Sequence, residues 1–197
     1  MRANQPDLFA AAAPDGFRYA EEFLAVEEEA ELLRALPALP FEEARYKQWT
    51  ARRRVVSYGG RYDFGANELE PAPPIPPGLH VLRTRIASWS GVPAERFTHA
   101  AVAEYRPGTP LGWHRDVPQF DIVVGVSLAG SARMRFRRYP HVKGSRAATL
   151  DVELAPRSIY VLRDAARWEW QHAIAPTAEL RYSITFRTLR TDASSSR

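Results

Sequence analysis

The sequence predicts a mainly β chain, arranged as two packed sheets or a flattened barrel of the jelly-roll kind and preceded by one or two helices. Three observations predict it. Eight segments, near residues 41–46, 53–58, 97–105, 120–128, 132–138, 149–154, 158–163 and 180–188, are rich in Val, Ile, Phe, Tyr and Thr. Proline and glycine punctuate the gaps between them. Helical spacing of apolar residues is confined to two short stretches ahead of Gly91.

In the first of those stretches, about 25–36, Val26, Leu32, Leu33 and Leu36 form one face, and Glu27–Glu29 suit its positive N-terminal end. In the second, Leu79, Leu82, Ile86 and Trp89 predict a helix over 79–90, stopped by Gly91 and Pro93. Between Gly59 and Gly78 lie Pro71, Pro73, Pro74, Pro76 and Pro77. That density excludes a helix or a central strand and suggests a lid or binding loop. Residues 1–16 and 190–197 read as loosely held tails, which leaves 17–189 as one domain.

Composition narrows the class. Hydrophobic residues make up 45% of the 197, enough for a packed core. There is no cysteine, which removes disulfides, thiolate zinc sites and cysteine nucleophiles together. The longest apolar run, Ile122–Ala129, is interrupted by Gly125 and Ser127 and is far too short to span a bilayer. The N-terminus has an acid and a proline where a secretory leader needs an unbroken apolar stretch. A soluble, cytoplasmic monomer with no membrane partner is the expectation. The formal charge of +4 and pI near 9.6 permit a polyanionic partner without demanding one. Only Lys47 and Lys143 among the 27 basic residues are lysines, a skew that a compositional bias of the coding sequence suffices to produce without selection for binding.

The chemistry-bearing residues are few. Trp113-His114-Arg115-Asp116 places a histidine and a carboxylate at i and i+2, on one side of an extended segment, and His172 follows 58 residues later. Two imidazoles and one carboxylate on one face of an ion leave the opposite positions open, the arrangement non-haem iron(II) uses. Alone, this pattern is more readily a surface turn plus a hydrogen-bonded histidine. His80, His99 and His141 show no comparable grouping. Nine residues beyond His172, Arg181-Tyr182-Ser183-Ile184-Thr185-Phe186-Arg187 alternates strictly, with Arg181, Ser183, Thr185 and Arg187 on one face. If that face lines the barrel, two buried guanidiniums require anionic partners, and a dicarboxylate meets the need through forked pairing.

With Glu104-Tyr105-Arg106-Pro107-Gly108 leading into His114-Arg115-Asp116, the three blocks together resemble the AlkB family of Fe(II)- and 2-oxoglutarate-dependent dioxygenases, from about Phe17 to Leu189. The resemblance implies a double-stranded β-helix with flanking helices and a nucleotide-recognition lid at about 41–78, over a catalytic core at about 97–189. It implies Fe(II) held by His114, Asp116 and His172. It also implies 2-oxoglutarate contacted by Arg181, Arg187, Tyr105 and Ser183. Family members commonly carry asparagine at the places of Ala103 and Ser183, and some place a base-recognising acid at that of Pro118. The implied activity is oxidative demethylation of N-alkylated bases, of the 1-methyladenine or 3-methylcytosine type, in single-stranded DNA or RNA. Products would be succinate, CO2 and formaldehyde.

A flipped base calls for aromatic surfaces and phosphate contacts. Trp49, Arg54, Tyr58, Arg61 and Tyr62 are the candidates, in the span where relatives carry the lid; the alternative is an exposed basic turn beside core aromatics. Arg133, Arg135 and Arg137 share a strand face that reads first as a solvated sheet surface and second as a phosphate track. Three other readings stay open: a tRNA target, a protein or small-molecule target, and a nucleic-acid-binding module without catalysis. A protein-kinase catalytic loop is excluded, since position 121 is Asp and no DFG follows.

Overall fold

The computed structural model describes residues 13–46, 49–63, 65–141 and 149–191, with the backbone alone for 44–46 and 49–51. Most of the two expected tails, together with Phe64, lies outside the described residues. In chain order the elements are β1 (Phe17–Ala20), α1 (Val26–Ala35), β2 (Glu42–Tyr46), β3 (Trp49–Tyr58), β4 (Arg61–Asp63), β5 (Glu68–Glu70), α2 (His80–Ser90) and β6 (Phe97–Tyr105). There follow β7 (Leu111–His114), β8 (Phe120–Ala129), β9 (Ala132–Arg138), β10 (Leu150–Leu154), β11 (Ile159–Leu162), α3 (Asp164–Trp168), β12 (Trp170–Ile174) and β13 (Arg181–Leu189). No described helix is long and apolar enough to cross a membrane.

All eight segments expected to be strands are strands, and both helices form within a residue or two of the predicted limits. α1 starts where Glu28 accepts a hydrogen bond from the Ala25 backbone N–H at 2.7 Å. α2 ends at Gly91, whose φ of +74° lets its N–H close on the Ala87 carbonyl. Sequence patterning misses β1, β7, β12, α3 and the β4–β5 hairpin. Each has five residues or fewer, too short for a periodic signal.

The strands form a seven-stranded sheet, ordered β1-β11-β8-β13-β6-β3-β2, facing a four-stranded sheet, β10-β9-β12-β7. Every strand pairing in both is antiparallel. Two cores result. The larger packs the helices onto the outer face of the seven-stranded sheet through Leu36, Leu82, Ile86, Phe97, Val102, Ile184 and Phe186. The smaller fills the space between the sheets with Val123, Met134, Phe136, Leu154, Tyr160, Leu162 and Ile174. The strict alternation of β13 decides which side is which. Tyr182, Ile184 and Phe186 enter the larger core, so Arg181, Ser183, Thr185 and Arg187 must face the barrel interior.

The expected lid, about 41–78, is not one piece. β2 and β3 continue the seven-stranded sheet beyond β6, and β4–β5 alone form a separate ribbon. Glu104 pins β3 to β6. Its carboxylate accepts two bonds from Arg54, at 2.9 and 2.7 Å, one from Arg106 at 3.1 Å, and one from the Tyr182 hydroxyl at 3.3 Å. These cations, Arg54 foremost, hold the Glu104 carboxyl below its ordinary range despite burial.

Candidate active site

The antiparallel ladder builds the site. His172 on β12 lies directly opposite His114 on β7, and the two rings stand 4.2 Å apart between centroids. The His114 Nδ1 hydrogen-bonds the Gly112 carbonyl at 2.9 Å, which leaves Nε2 free to ligate. Asp116 follows just beyond the end of β7 and brings a carboxylate oxygen to 3.7 Å from His172 Nε2. One ligand atom from each of the three residues lies within 4.8 Å of the others.

Electrostatics keeps the cluster in the ligating state. Burial pushes the His172 imidazole down to about 3, helped by the His114 ring beside it. Burial likewise lowers His114. Burial alone would raise the Asp116 carboxyl; Arg187, then His172 and His114, overcome that and hold it well below the ordinary range. At neutral pH the set is two neutral imidazoles and a carboxylate, the donor set a divalent cation needs.

Two interior arginines frame this cluster. Arg187 donates from Nε to Asp116 at 2.8 Å and from Nη1 to Thr185 Oγ1 at 2.8 Å. Arg181, 1% exposed, donates from Nε to Ser127 Oγ at 2.9 Å and lies over the Tyr105 ring. Its Nη1 is buried with no partner among the described residues. A buried guanidinium with an idle donor is costly unless an anion completes it. Ser183, Tyr105 and Tyr160 line the same interior, and Ser183 sits directly across from Ala103 and Ser127. Gly125 makes room here. A Cβ on it would come within 2.3 Å of the Tyr160 ring, whose hydroxyl burial pushes up to about 12.

The substrate candidates fare differently. The Trp49 side chain lies outside the described residues. Arg54 and Tyr58 do not face the triad, which corrects the expectation for both. Register pairs Arg54 with Glu104 and Tyr58 with Ala100, on the sheet face that supports the helices, and Tyr58 is part of the larger core. The odd parity of β3 faces inward instead. Arg53 therefore points where Arg54 was expected: it is electrostatically coupled to His114, and its Nε is buried without a partner among the described residues. Arg61 and Tyr62 stand on the β4–β5 ribbon, with Arg61 paired to Glu70 at 3.1 Å and the Tyr62 hydroxyl on Asn67 at 3.2 Å.

Three contributors escaped the sequence reading. Ser127 receives Arg181, Arg53 faces the triad, and Arg167 anchors the segment after Asp116. Arg167, 2% exposed on α3, donates to the carbonyls of Val117 and Phe120 at 2.8 and 2.7 Å. None carries a local motif; only strand register or tertiary packing reveals them. Between that segment and β5, a cleft of about 340 Å3 is lined by Leu69, Pro118, Gln119, Leu189 and Arg190.

Comparison with known proteins agrees with this geometry. The sequence pattern of the 2OG-Fe(II) oxygenase superfamily matches residues 16–187. An Arabidopsis thaliana protein named alkylated DNA repair protein ALKBH8 homolog is 30% identical, over 78% of this chain and 49% of its own length. The mouse protein named tRNA (carboxymethyluridine(34)-5-O)-methyltransferase ALKBH8 is 25% identical, over 89% of this chain and 26% of its own. The chain thus spans half or less of the length of these relatives. Among solved structures, OsALKBH1 superposes with a TM-score of 0.66 at 14% identity, covering 88% of this chain and 98% of that one. The double-stranded β-helix, the facing histidines and the sequence match lead to one assignment: the chain belongs to the 2OG-Fe(II) oxygenase superfamily, as an AlkB-like member.

Proposed function

We propose that this dioxygenase oxidises an N-linked methyl group on a nucleobase of single-stranded DNA or RNA, of the 1-methyladenine or 3-methylcytosine type. The observation that carries the reading is that two of the strands lining the barrel, β13 and β3, each bring in a guanidinium donor without a partner among the described residues, Arg181 Nη1 and Arg53 Nε. One co-substrate accounts for one of them. The second calls for a substrate that brings an anion or strong acceptors close to the reacting carbon, as a nucleotide does.

In this reading His114, Asp116 and His172 hold Fe(II). Arg181, with Ser183 and Tyr105 beside it, takes the far carboxylate of 2-oxoglutarate. Arg187 spends Nε on Asp116 and Nη1 on Thr185, so its remaining N–H groups are what it can offer the co-substrate. Together the metal and co-substrate supply dioxygen activation: 2-oxoglutarate goes to succinate and CO2, and one oxygen atom enters a C–H bond. The protein's part is to orient the base, with Arg53 inside and the β4–β5 ribbon bearing Arg61 and Tyr62 outside. A hydroxymethyl group on nitrogen then breaks at its C–N bond, releasing formaldehyde and leaving the unmethylated base in the strand.

The test is succinate and formaldehyde release on methylated and unmethylated oligonucleotides, in DNA and RNA, with His172→Ala as control. Methylation-dependent release of both, lost in the variant, is the expected result. Equal succinate release on both oligonucleotides, or none, would refute the reading. A second reading, oxidation of a carbon substituent on a tRNA base, is favoured by the mouse relative, whose name places its action on a tRNA carboxymethyluridine. It predicts succinate without formaldehyde, since a hydroxyl on a carbon substituent stays attached.

A further inference from the structure

We infer that the outer face of the four-stranded sheet, along β9, is a track for the phosphate backbone of single-stranded nucleic acid leading away from the active site. The inference rests on the nucleic-acid reading above. On β9, Met134 and Phe136 enter the core between the sheets, so Arg133, Arg135 and Arg137 face outward. A merely solvated face would leave such side chains splayed into water. Here two of the three, Arg135 and Arg137, lie against a ring instead. Arg137 and Arg135 lie over the Trp113 ring, at 4.5 and 5.6 Å from its centroid, reaching across β12. Arg137 also donates to Gln171 at 2.7 Å.

At the end of β9 the parity changes, and the next arginine lies on the side of Phe136 and His172, at the rim of the site. Arg138 stacks on Trp170 at 4.8 Å, and Trp170 is two residues from His172. Arg115, between two of the triad residues, stacks on the exposed Tyr139 at 3.7 Å. Carboxylates do not balance these charges. Asp151 pairs with Arg135 at 3.3 Å and Glu169 with Arg138 at 2.6 Å. Glu153 lies across from Arg133 in register without forming an ion pair. Arg115, Arg133 and Arg137 thus have no carboxylate partner among the described residues. Three arginines spaced two residues apart span about 14 Å, enough for a few successive phosphates. The interleaved rings hold the guanidiniums flat and offer partial stacking surfaces, a combination that suits single strands.

The test uses the whole chain and a fluorescein-labelled 20-nucleotide RNA, with anisotropy read across a salt series. The substitutions are R133Q, R135Q and R137Q together, and a companion in which the same three positions become lysine. The Gln variant is expected to weaken binding about tenfold or more and to flatten log Kd against log salt by about two, since each phosphate contact contributes roughly 0.7 on a single strand. The lysine variant is expected to keep most of both, and an unchanged thermal midpoint excludes misfolding as the cause. Equal affinity and slope in wild type and Gln variant, or no RNA binding by wild type, overturns the inference. Methyl oxidation by the wild type, assayed separately, tells the two failures apart. Oxidation with an unaltered slope in the Gln variant refutes the track and leaves the function, whereas a lost slope without any oxidation does the reverse.

Discussion

β13 and β3 lie on either side of β6, and both carry arginine into the barrel, but the two strands treat that charge in opposite ways. On β13 both inward guanidiniums are held by other side chains, Arg187 by Asp116 and Thr185 and Arg181 by Ser127, with Arg181 Nη1 left over among the described residues. On β3 the tied arginine is the outward one, Arg54, gripped by Glu104, while the inward Arg53 keeps an idle Nε. The difference separates a fixed half of the site from an adaptable one. A small dicarboxylate of constant shape is served by cations locked in advance. Under the proposed function, the larger substrate would meet Arg53, a cation on a strand anchored from its other face.

Four measurements would sharpen or break that contrast. Glu104→Ala should have the largest effect, about 3 kcal/mol of stability, because it removes a buried carboxylate with its charged hydrogen bonds and leaves the buried Tyr182 hydroxyl unpaired, while the part-exposed Arg54 and Arg106 turn to solvent. Urea unfolding reads it, and a loss below about 1 kcal/mol would mean that β3 is not anchored through this pair. Arg181→Gln should raise KM for 2-oxoglutarate roughly thirtyfold, the worth of a charged hydrogen bond, about 2 kcal/mol, with the nucleic-acid KM little changed.

The pH dependence of stability comes next. His99 is buried against Phe120 and held down to about 3, by burial first and Arg187 second. Its folded value lies below its unfolded one, so between about 6.5 and 3 the unfolded chain binds the extra proton, and stability falls as pH falls through that window. From pH 7 to 5 the loss through this group should approach about 2 kcal/mol. Melts of His99→Gln should show a shallower decline, and an identical decline would assign the acid sensitivity elsewhere. Arg53→Gln is the smallest effect and the most discriminating. It should raise the nucleic-acid KM about fivefold, roughly 1 kcal/mol, without touching KM for 2-oxoglutarate. If Arg54→Gln did the same, the contrast between the two faces of β3 would fail.

The same contrast explains what could be read from the sequence. β13 alternates without a slip, so one look at Tyr182, Ile184 and Phe186 assigns Arg181 and Arg187 to the opposite face. β3 presents three consecutive arginines, and a run carries no parity. Choosing Arg54 over Arg53 was a one-residue slip, which in a strand reverses the face. Tyr58 was misplaced for a related reason, since an aromatic beside glycines looks exposed until the helices are laid over it. The triad residues were legible because a motif and its spacing travel along the chain. Ser127 and Arg167 were not, because their roles exist only where β8 meets β13 and where α3 meets the segment after Asp116.

The directly opposed histidines have one further consequence. Two of the three candidate ligands are placed by the hydrogen-bonded ladder between β7 and β12, and the third by Arg187 on its carboxylate and Arg167 on the segment that follows it. An ion held by the folded chain and not by the unfolded one would add RT ln(1 + [L]/Kd) to stability, so the thermal midpoint should climb with the concentration of ferrous salt. A chelator should lower the midpoint again, and the same chelator should leave the midpoint of His172→Ala where it was.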